Sequence, residues 1–540
     1  MSNPEGKKHR SPWHRRAAKE KRERELAVVR ATRYVAKHVV GIKPALIKSF
    51  ERLGYWTKKT IKLLIPLIIL LIFTFVPMGI EDKPRYALAI FLFIAIMWTF
   101  ESLPLPVTAL MVPVLLVIYD IFDDPVRTDA ELAFAPFATP VVYLVLGGII
   151  ISVAFRKTHL DKRFALFLVA KSKGNFNRLL LAIMLACGTL SMWISNTATV
   201  ALLIPVAIGI AGRSGASKES SERLALVLLL GIGASAAIGG MATIVGTSAN
   251  AVSSQFIAEK VIELGGSWTF LSWMRIGLPL SILLLFISWK ILVKMYPLNE
   301  ENLDVAWVQD ELDQMGKIDR DEKIVLTILI GTIVFWIIGG ELAALFLPAP
   351  WSPGAFANAA IVSMIAAILL FVTRTLTWED ARLIPWGLFL ILGAGLALGA
   401  GLNASGFNDW LSGGIGVIAD PLVQAGMVIL FLILASFVVV ALSNFMNNTA
   451  TVAFFVPSMI VLASSIAFND MMLMKLLSLT VAFAAAIAFI TPVSHPPSTL
   501  IYGSGMVSRK NMFKSGLAIT IPSVLIVVVY IFITVSLGWV

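Results

Sequence analysis

The sequence predicts an all-α polytopic membrane protein, and three observations lead to it. Hydrophobic residues make up 58% of the 540 residues and charged residues only 14%, a balance that a water-facing surface does not tolerate. Several apolar runs reach the roughly 20 helical residues needed to cross a hydrocarbon core of about 30 Å. The run 61–80 is apolar on every face, whereas barrel strands alternate over about ten residues, so a β-barrel is excluded. Hydropathy places about eleven transmembrane helices near 63–80, 87–101, 105–122, 178–193, 222–240, 272–294, 324–347, 357–373, 422–442, 473–490 and 515–538.

Charge divides the chain unevenly. Residues 1–60 hold 17 Lys and Arg against 5 Asp and Glu, a net of +12, so the remaining 480 residues sum to −1. By the positive-inside rule this tail stays in the cytoplasm; its first part is too polar for a signal peptide, and with no targeting peptide read in it the expected location is a cytoplasmic (inner) membrane. Residues 26–56 mix apolar and basic residues at helical spacing and read as an interfacial amphipathic helix on anionic lipid; a disordered solubilising tail is the alternative. Outside the tail nothing suggests a nucleic-acid partner. The single cysteine, Cys187, rules out a disulfide or zinc-finger framework and reads as packing.

A polar linker, 298–323, separates a first membrane repeat, 61–297, from a second, 324–540. Segment 194–208 (ISNTATVALLIPVAI) matches 446–460 (MNNTATVAFFVPSMI) at 8 of 15 positions with an offset of 252, and the identities include polar residues. Chance similarity of apolar spans does not preserve Asn-Thr-Ala-Thr-Val-Ala, so the halves are duplicated. About fifty residues upstream of each motif lie short, Gly-broken apolar segments, 139–155 and 385–402, expected to be re-entrant hairpins. Downstream, 239–250 (GGMATIVGTSAN) and 490–498 (ITPVSHPPS) read as helices interrupted by small residues and prolines. Paired broken helices at matching places in two halves point to a transporter binding site.

A helix broken inside a membrane frees carbonyls and amides that need partners. Freed carbonyls with Ser, Thr and Asn oxygens make an uncharged cage for a hard monovalent cation such as sodium; helix N-termini with hydroxyl and amide donors hold carboxylate or sulfate. One such motif per half therefore suits a substrate with two separated negative groups. A lone Ser or Thr in a membrane helix commonly only bonds its own backbone, but two near-identical motifs beside broken helices argue for a site.

These residues resemble the divalent anion/sodium symporter family, which carries dicarboxylates, citrate or sulfate. The resemblance runs from about residue 60 through most of the chain. It rests on Glu101-Ser102-Leu103-Pro104-Leu105-Pro106-Val107-Thr108-Ala109-Leu110, on Ser191-Met192-Trp193-Ile194-Ser195-Asn196-Thr197-Ala198-Thr199, and on Trp378-Glu379-Asp380. It implies two inverted repeats with two re-entrant hairpins, a homodimer, and an elevator-type movement of a transport domain against a scaffold. Carried over by position, it implies one sodium site at Ser191, Ser195, Asn196 and the Gly246 carbonyl, and a second at Ser443, Met446, Asn448 and the Ser494 carbonyl. It implies that the substrate meets Ser195, Asn196 and Thr197 on one side and Asn447, Asn448 and Thr449 on the other, with Thr247, His495 and Pro496 near the walls. Three positions depart from the family pattern: Asn447 replaces a serine, His495 a threonine and Ser498 an asparagine. They bear on which dianion is carried.

His495 is the one histidine in the apolar region and either contacts substrate or bonds a nearby carbonyl of its broken helix. Glu101 reads as a structural acid beside Pro104 and Pro106, Glu379 and Asp380 as caps before the second apolar segment, and Arg156, Lys157, Lys162 and Arg163 as cytoplasmic anchors. No HExxH run, Asp pair or Ser/His arrangement marks an enzyme, and no organic cofactor is expected. A channel would show a ring of repeated carbonyls or charges; arsenite-type permeases also have broken-helix pairs and are the closer rival, and these two stand as the more remote alternatives, the Ser-Asn-Thr motifs favouring a carboxylate carrier. The reading is a sodium-coupled secondary transporter of small dianions, C4-dicarboxylates foremost, with citrate, sulfate or sodium-independent exchange as alternatives.

Overall fold

The computed structural model describes residues 55–539, apart from Met78, Ala216, residues 299–302, 347–355, Ala357, Asn447, residues 468–469 and Val493. The expectations for the tail before residue 55, and for Asn447, lie outside the described residues. Contacts divide the chain into residues 1–65, of which only 55–65 are described, and a compact unit, Pro66–Val540.

Twenty-one α-helices and no strand occur among the described residues. The first half runs through α1 (Tyr55–Phe75), α2 (Asp82–Phe100), α3 (Leu105–Ile118), α4 (Asp129–Phe134), a 3₁₀ turn (Ala135–Ala138) and α5 (Pro140–Lys157). It continues with α6 (Leu160–Ala170), α7 (Phe176–Ser191), α8 (Asn196–Arg213), α9 (Lys218–Gly240), α10 (Ser248–Glu263) and α11 (Phe270–Met295). The linker forms α12 (Ala306–Gln314). The second half begins with α13 (Arg320–Phe346), α14 (Ala359–Val372), a 3₁₀ turn (Trp378–Leu383), α15 (Trp386–Ala404) and α16 (Phe407–Gln424). It ends with α17 (Val428–Ser443), α18 (Asn448–Ile466), α19 (Met471–Ala486), α20 (Pro496–Gly503) and α21 (Arg509–Ser536). Among the described residues, nine helical segments are long and apolar enough to cross a membrane.

The duplication read from fifteen residues extends to the architecture. Each half presents a 3₁₀ turn followed by a Gly-rich helix, a helix pair around the Asn-Thr motif, an interrupted helix and a long closing helix. The halves also exchange contacts reciprocally: α5 packs on α14 and α15 on α3, α10 on α18 and α20 on α8. Reciprocal packing of equivalent elements is what a pseudo-two-fold axis produces.

The places expected to be re-entrant hairpins need correction. Segments 139–155 and 385–402 form the single unbroken helices α5 and α15. Their glycines serve close packing: a Cβ on Gly147 would stand 2.5 Å from Cβ of Ser363 on α14, and one on Gly393 would overlap the Phe137 ring. The chain reverses instead at the motifs themselves, between α7 and α8 and between α17 and α18. With 16 residues each, α7 and α17 reach about 24 Å at 1.5 Å per residue, short of a full crossing, and the chain turns within a few residues of their C-terminal ends. Segments 178–193 and 422–442, expected as spans, are thus hairpin arms.

The linker is docked. Leu303 N donates to Gly174 O at 3.0 Å, and Gly174 adopts φ +76° with no room for a side chain against Leu303 O. Arg163 on α6 pairs with buried Glu322 of α13 at 2.7 Å and donates to the Gly316 and Met315 carbonyls. Lys157 ends α5 by pairing with Asp380 at 2.7 Å, and Asp380 also closes a capping box with Thr377. Burial pushes the Asp380 carboxyl up, but the bonds from Lys157 and Thr377 outweigh it and hold it below the usual carboxylate range. Glu101 is exposed and ends α2 in the left-handed region at φ 45°. Cys187 is buried, its thiol against Ile232 O at 3.3 Å.

Candidate functional site

The site begins with two helix interruptions that the sequence makes unavoidable. Helix α9 ends in Gly239-Gly240, and both glycines are required by contact: a Cβ on Gly239 would overlap the Gly188 backbone of α7, and one on Gly240 would stand 2.5 Å from Asn196 Oδ1. The broken segment can therefore lie directly on the hairpin tip. Thr243 Oγ1 donates to Met192 O in that tip at 2.6 Å, and Gly246 folds back over Gly240 O. The carbonyls freed at the break, Gly240 O and Thr243 O, both accept from Asn250 Nδ2, at 2.8 and 2.7 Å. Thr247 then caps α10 by accepting from Asn250 N at 3.2 Å.

The second half repeats this with different residues. Thr491 Oγ1 donates to Asn444 O at 2.9 Å, as Thr243 does to Met192 O. Here the amide that satisfies the break belongs to the hairpin: Asn444 Oδ1 accepts from Ile490 N at 3.0 Å and Thr491 N at 3.3 Å. Asn250 thus donates to the carbonyls freed at one break, and Asn444 accepts from the amides freed at the other.

Beneath each motif the same latch recurs. Ser191 Oγ lies 2.5 Å from Asn196 Oδ1 and 2.9 Å from Ala236 O; Ser443 Oγ lies 2.9 Å from Asn448 Oδ1 and 2.9 Å from Ala485 O. Each serine thus ties the first residue of a hairpin's second helix to the end of the interrupted helix. Ser195 caps α8, accepting from Ala198 N at 3.4 Å. Met446 lies in the second tip, its amide on Leu442 O at 2.8 Å.

Both halves meet at one cavity of about 180 Å³. It brings together Ser195, Asn196, Thr197, Gly246 and Thr247 from the first half with Asn448, Thr449, Ser494, His495 and Pro496 from the second. Ser191 and Ser443 lie behind the wall, joined to it through Asn196 and Asn448. Ser248 and Thr449 hydroxyls bridge the halves at 2.7 Å. Four helices, α8, α10, α18 and α20, begin here, so four positive dipole ends converge on one space, although α20 opens with Pro496 and Pro497 and brings no free amide there, while α7, α9, α17 and α19 end beside it. Such an arrangement can hold an anion at the centre and can offer neutral oxygens to a cation at either flank. Among the described residues no group of three or more His, Cys, Asp or Glu forms a metal-type cluster, so such a cation site is built from uncharged oxygens.

Sequence reasoning missed the charged residue of the lining. Arg156, expected as a cytoplasmic anchor, lines the cavity from α5 with Ser152, and its Nε is buried without a hydrogen-bond partner. It is the one Lys, Arg, Asp or Glu among the lining residues. Its charge also faces Asp161 on α6, whose carboxyl is pushed up by burial and pulled back by the Lys162 amide, His159 and Arg156. The signal available in the sequence was helical spacing: Val145, Gly148, Ser152 and Arg156 fall on one face of α5.

The sequence profile of the sodium:sulfate symporter transmembrane region matches residues 56–540. A sodium-dependent dicarboxylate transporter of Staphylococcus saprophyticus is 29% identical over 487 residues, covering 86% of this chain and 89% of its own. One from Staphylococcus aureus (strain MSSA476) is 30% identical over 498 residues, covering 88% and 91%. The solved structure of Neisseria gonorrhoeae MtrF, titled as representing a class of antimetabolite efflux pumps, has a TM-score of 0.49 at 15% identity over 90% of this chain and 97% of that one, a likeness too distant to bear on function. By the profile match along nearly the whole membrane part, this chain belongs to the sodium:sulfate (divalent anion/sodium) symporter family of membrane transporters, as its Ser-Asn-Thr motif and broken helices implied.

Proposed function

We propose that the protein is a sodium-coupled secondary transporter of small dianions, with C4-dicarboxylates such as succinate, malate or fumarate as substrates. The observation that carries this reading is the convergence of four helix N-termini and both Asn-Thr motifs on one cavity whose lining holds a single fixed positive charge and no carboxylate. The substrate's carboxylates accept from Ser195, Asn196 and Thr197 on one side and Asn447, Asn448 and Thr449 on the other, with Thr247, His495 and Pro496 forming the walls and Arg156 adding attraction along α5. One sodium ion binds at Ser191, Ser195, Asn196 and the Gly246 carbonyl; a second binds at Ser443, Met446, Asn448 and the Ser494 carbonyl. Because Asn196 and Asn448 each touch both an ion site and the anion site, filling one orders the other, and this is the physical route to coupling. The curated relatives named as sodium-dependent dicarboxylate transporters support the same choice.

In this reading the repeats are inverted in a cytoplasmic membrane with the basic tail inside, and a homodimer carries the two hairpins and interrupted helices as a unit past a fixed scaffold. Uptake of labelled succinate into proteoliposomes, with and without an inward sodium gradient, tests it on the wild type and Asn196→Ala. Sodium-driven accumulation that the variant loses supports the reading. Accumulation of citrate or sulfate but not succinate moves the substrate, and uptake only against internal dicarboxylate makes the protein an exchanger.

A further inference from the structure

Thr247 and His495 occupy the same place in the two halves. Each is the extended residue before the helix that follows a break, at φ −144° and −159°. Their side chains behave differently. Thr247 turns back to cap α10, whereas His495 makes no cap. Its Nδ1 lies 3.0 Å from Ser498 Oγ and 3.2 Å from Ser494 Oγ, while Nε2 is buried without a hydrogen-bond partner and the residue lines the cavity.

Ser494 Oγ donates to Thr491 O at 2.8 Å, so of the two hydroxyls beside Nδ1 the Ser498 one keeps a proton that it can donate into the ring. In that tautomer the neutral imidazole carries its proton on Nε2, the ring atom without a partner. Ser498 stands where Asn250 stands in the first half. Asn250 is used on the Gly240 and Thr243 carbonyls, whereas Ser498 lies against the His495 ring and the second break is met from the hairpin by Asn444, which accepts from the Ile490 and Thr491 amides.

We propose that His495 is a specificity-determining residue: a neutral Nε2–H donor to one substrate carboxylate, held by Ser498 as its positioning residue, which shortens the cavity at the second motif and selects short dianions over longer tricarboxylates. The imidazole nitrogen stands about two bonds further from the main chain than the threonine hydroxyl of the matching position, so the shortening falls on one end only. A buried donor without a partner costs free energy until an acceptor arrives, and a carboxylate oxygen supplies one with a charge-assisted bond. The proposal rests on the dianion-carrier reading above.

The test is inhibition of sodium-driven succinate uptake in proteoliposomes by unlabelled succinate and by citrate. In His495→Thr the preference for succinate over citrate falls by about tenfold, with sodium dependence kept. His495→Gln, whose amide nitrogen reaches the place of Nε2, keeps the preference; His495→Asn, whose amide reaches only the place of Nδ1, loses it. Ser498→Ala raises KM for succinate several-fold at unchanged kcat, and Ser498→Thr restores it. A preference unchanged in His495→Thr, or equal behaviour of the Gln and Asn variants where the Thr variant does not assemble, overturns the proposal while leaving sodium-driven uptake in place. Absence of any sodium-driven anion uptake by the wild type instead removes the carrier reading, and the proposal with it.

Discussion

Asn250→Leu removes the amide that keeps the first helix break open at almost constant volume. Asn250 is 2% exposed, and its Nδ2 donates to Gly240 O and Thr243 O at 2.8 and 2.7 Å. Leucine fills the space but leaves Gly240 O without its side-chain donor and Thr243 O with only the longer 3.4 Å bond from Gly246 N. A buried group left without a partner costs about 1–3 kcal/mol, so the substitution disfavours the broken geometry by about 3 kcal/mol, about two orders of magnitude in the equilibrium between the intact break and its collapsed alternatives. Gly246, whose carbonyl we assign to the first sodium site, lies in the same loop and takes its amide bond from Thr243. The expected result is a rise of tenfold or more in the sodium concentration for half-maximal succinate uptake, together with a lower unfolding temperature in detergent. Asn250→Ser, which copies Ser498 of the other half, should fall between leucine and wild type. Wild-type sodium activation and unfolding temperature in Asn250→Leu would refute the claim that this amide sustains the break.

Two further predictions follow from the charged residues. Arg163→Met leaves Glu322, 3% exposed at its side chain, as a buried unpaired charge and should cost about 3 kcal/mol of stability in a detergent melt; Arg163→Met with Glu322→Leu should recover much of it, because removing both charges removes the desolvation penalty. Arg156→Gln should raise KM for succinate about tenfold, with a smaller effect on a monocarboxylate inhibitor and an intermediate value for Arg156→Lys; equal changes for dianion and monoanion, read by inhibition constants, would assign Arg156 to structure alone.

The motif residues were legible because they are polar where the solvent is apolar. Asn-Thr-Ala-Thr-Val-Ala occurring twice in hydrophobic surroundings marks a place where backbone groups need partners, and the leading Asn and Thr of each copy do line one cavity. The hairpins were misplaced because glycine has two readings in a membrane helix. In 139–155 and 385–402 it allows helices to approach, as at Gly147 against Ser363, and sequence pattern does not distinguish that from a break. Arg156 was missed for a related reason. A basic residue near a helix end reads as an interfacial anchor, and only the packing of α5 turns it toward the cavity.

By itself the sequence determined the solvent, the helical class, the duplication and the polar motifs, since each follows from composition or local spacing. The tertiary structure decided which turns are the hairpins, which side chain satisfies each break and which way each faces. Those outcomes depend on contacts such as Ser191 with Ala236 and Asn444 with Thr491, made between residues more than forty positions apart, where a backbone group freed at a break is met by a side chain that local sequence does not identify.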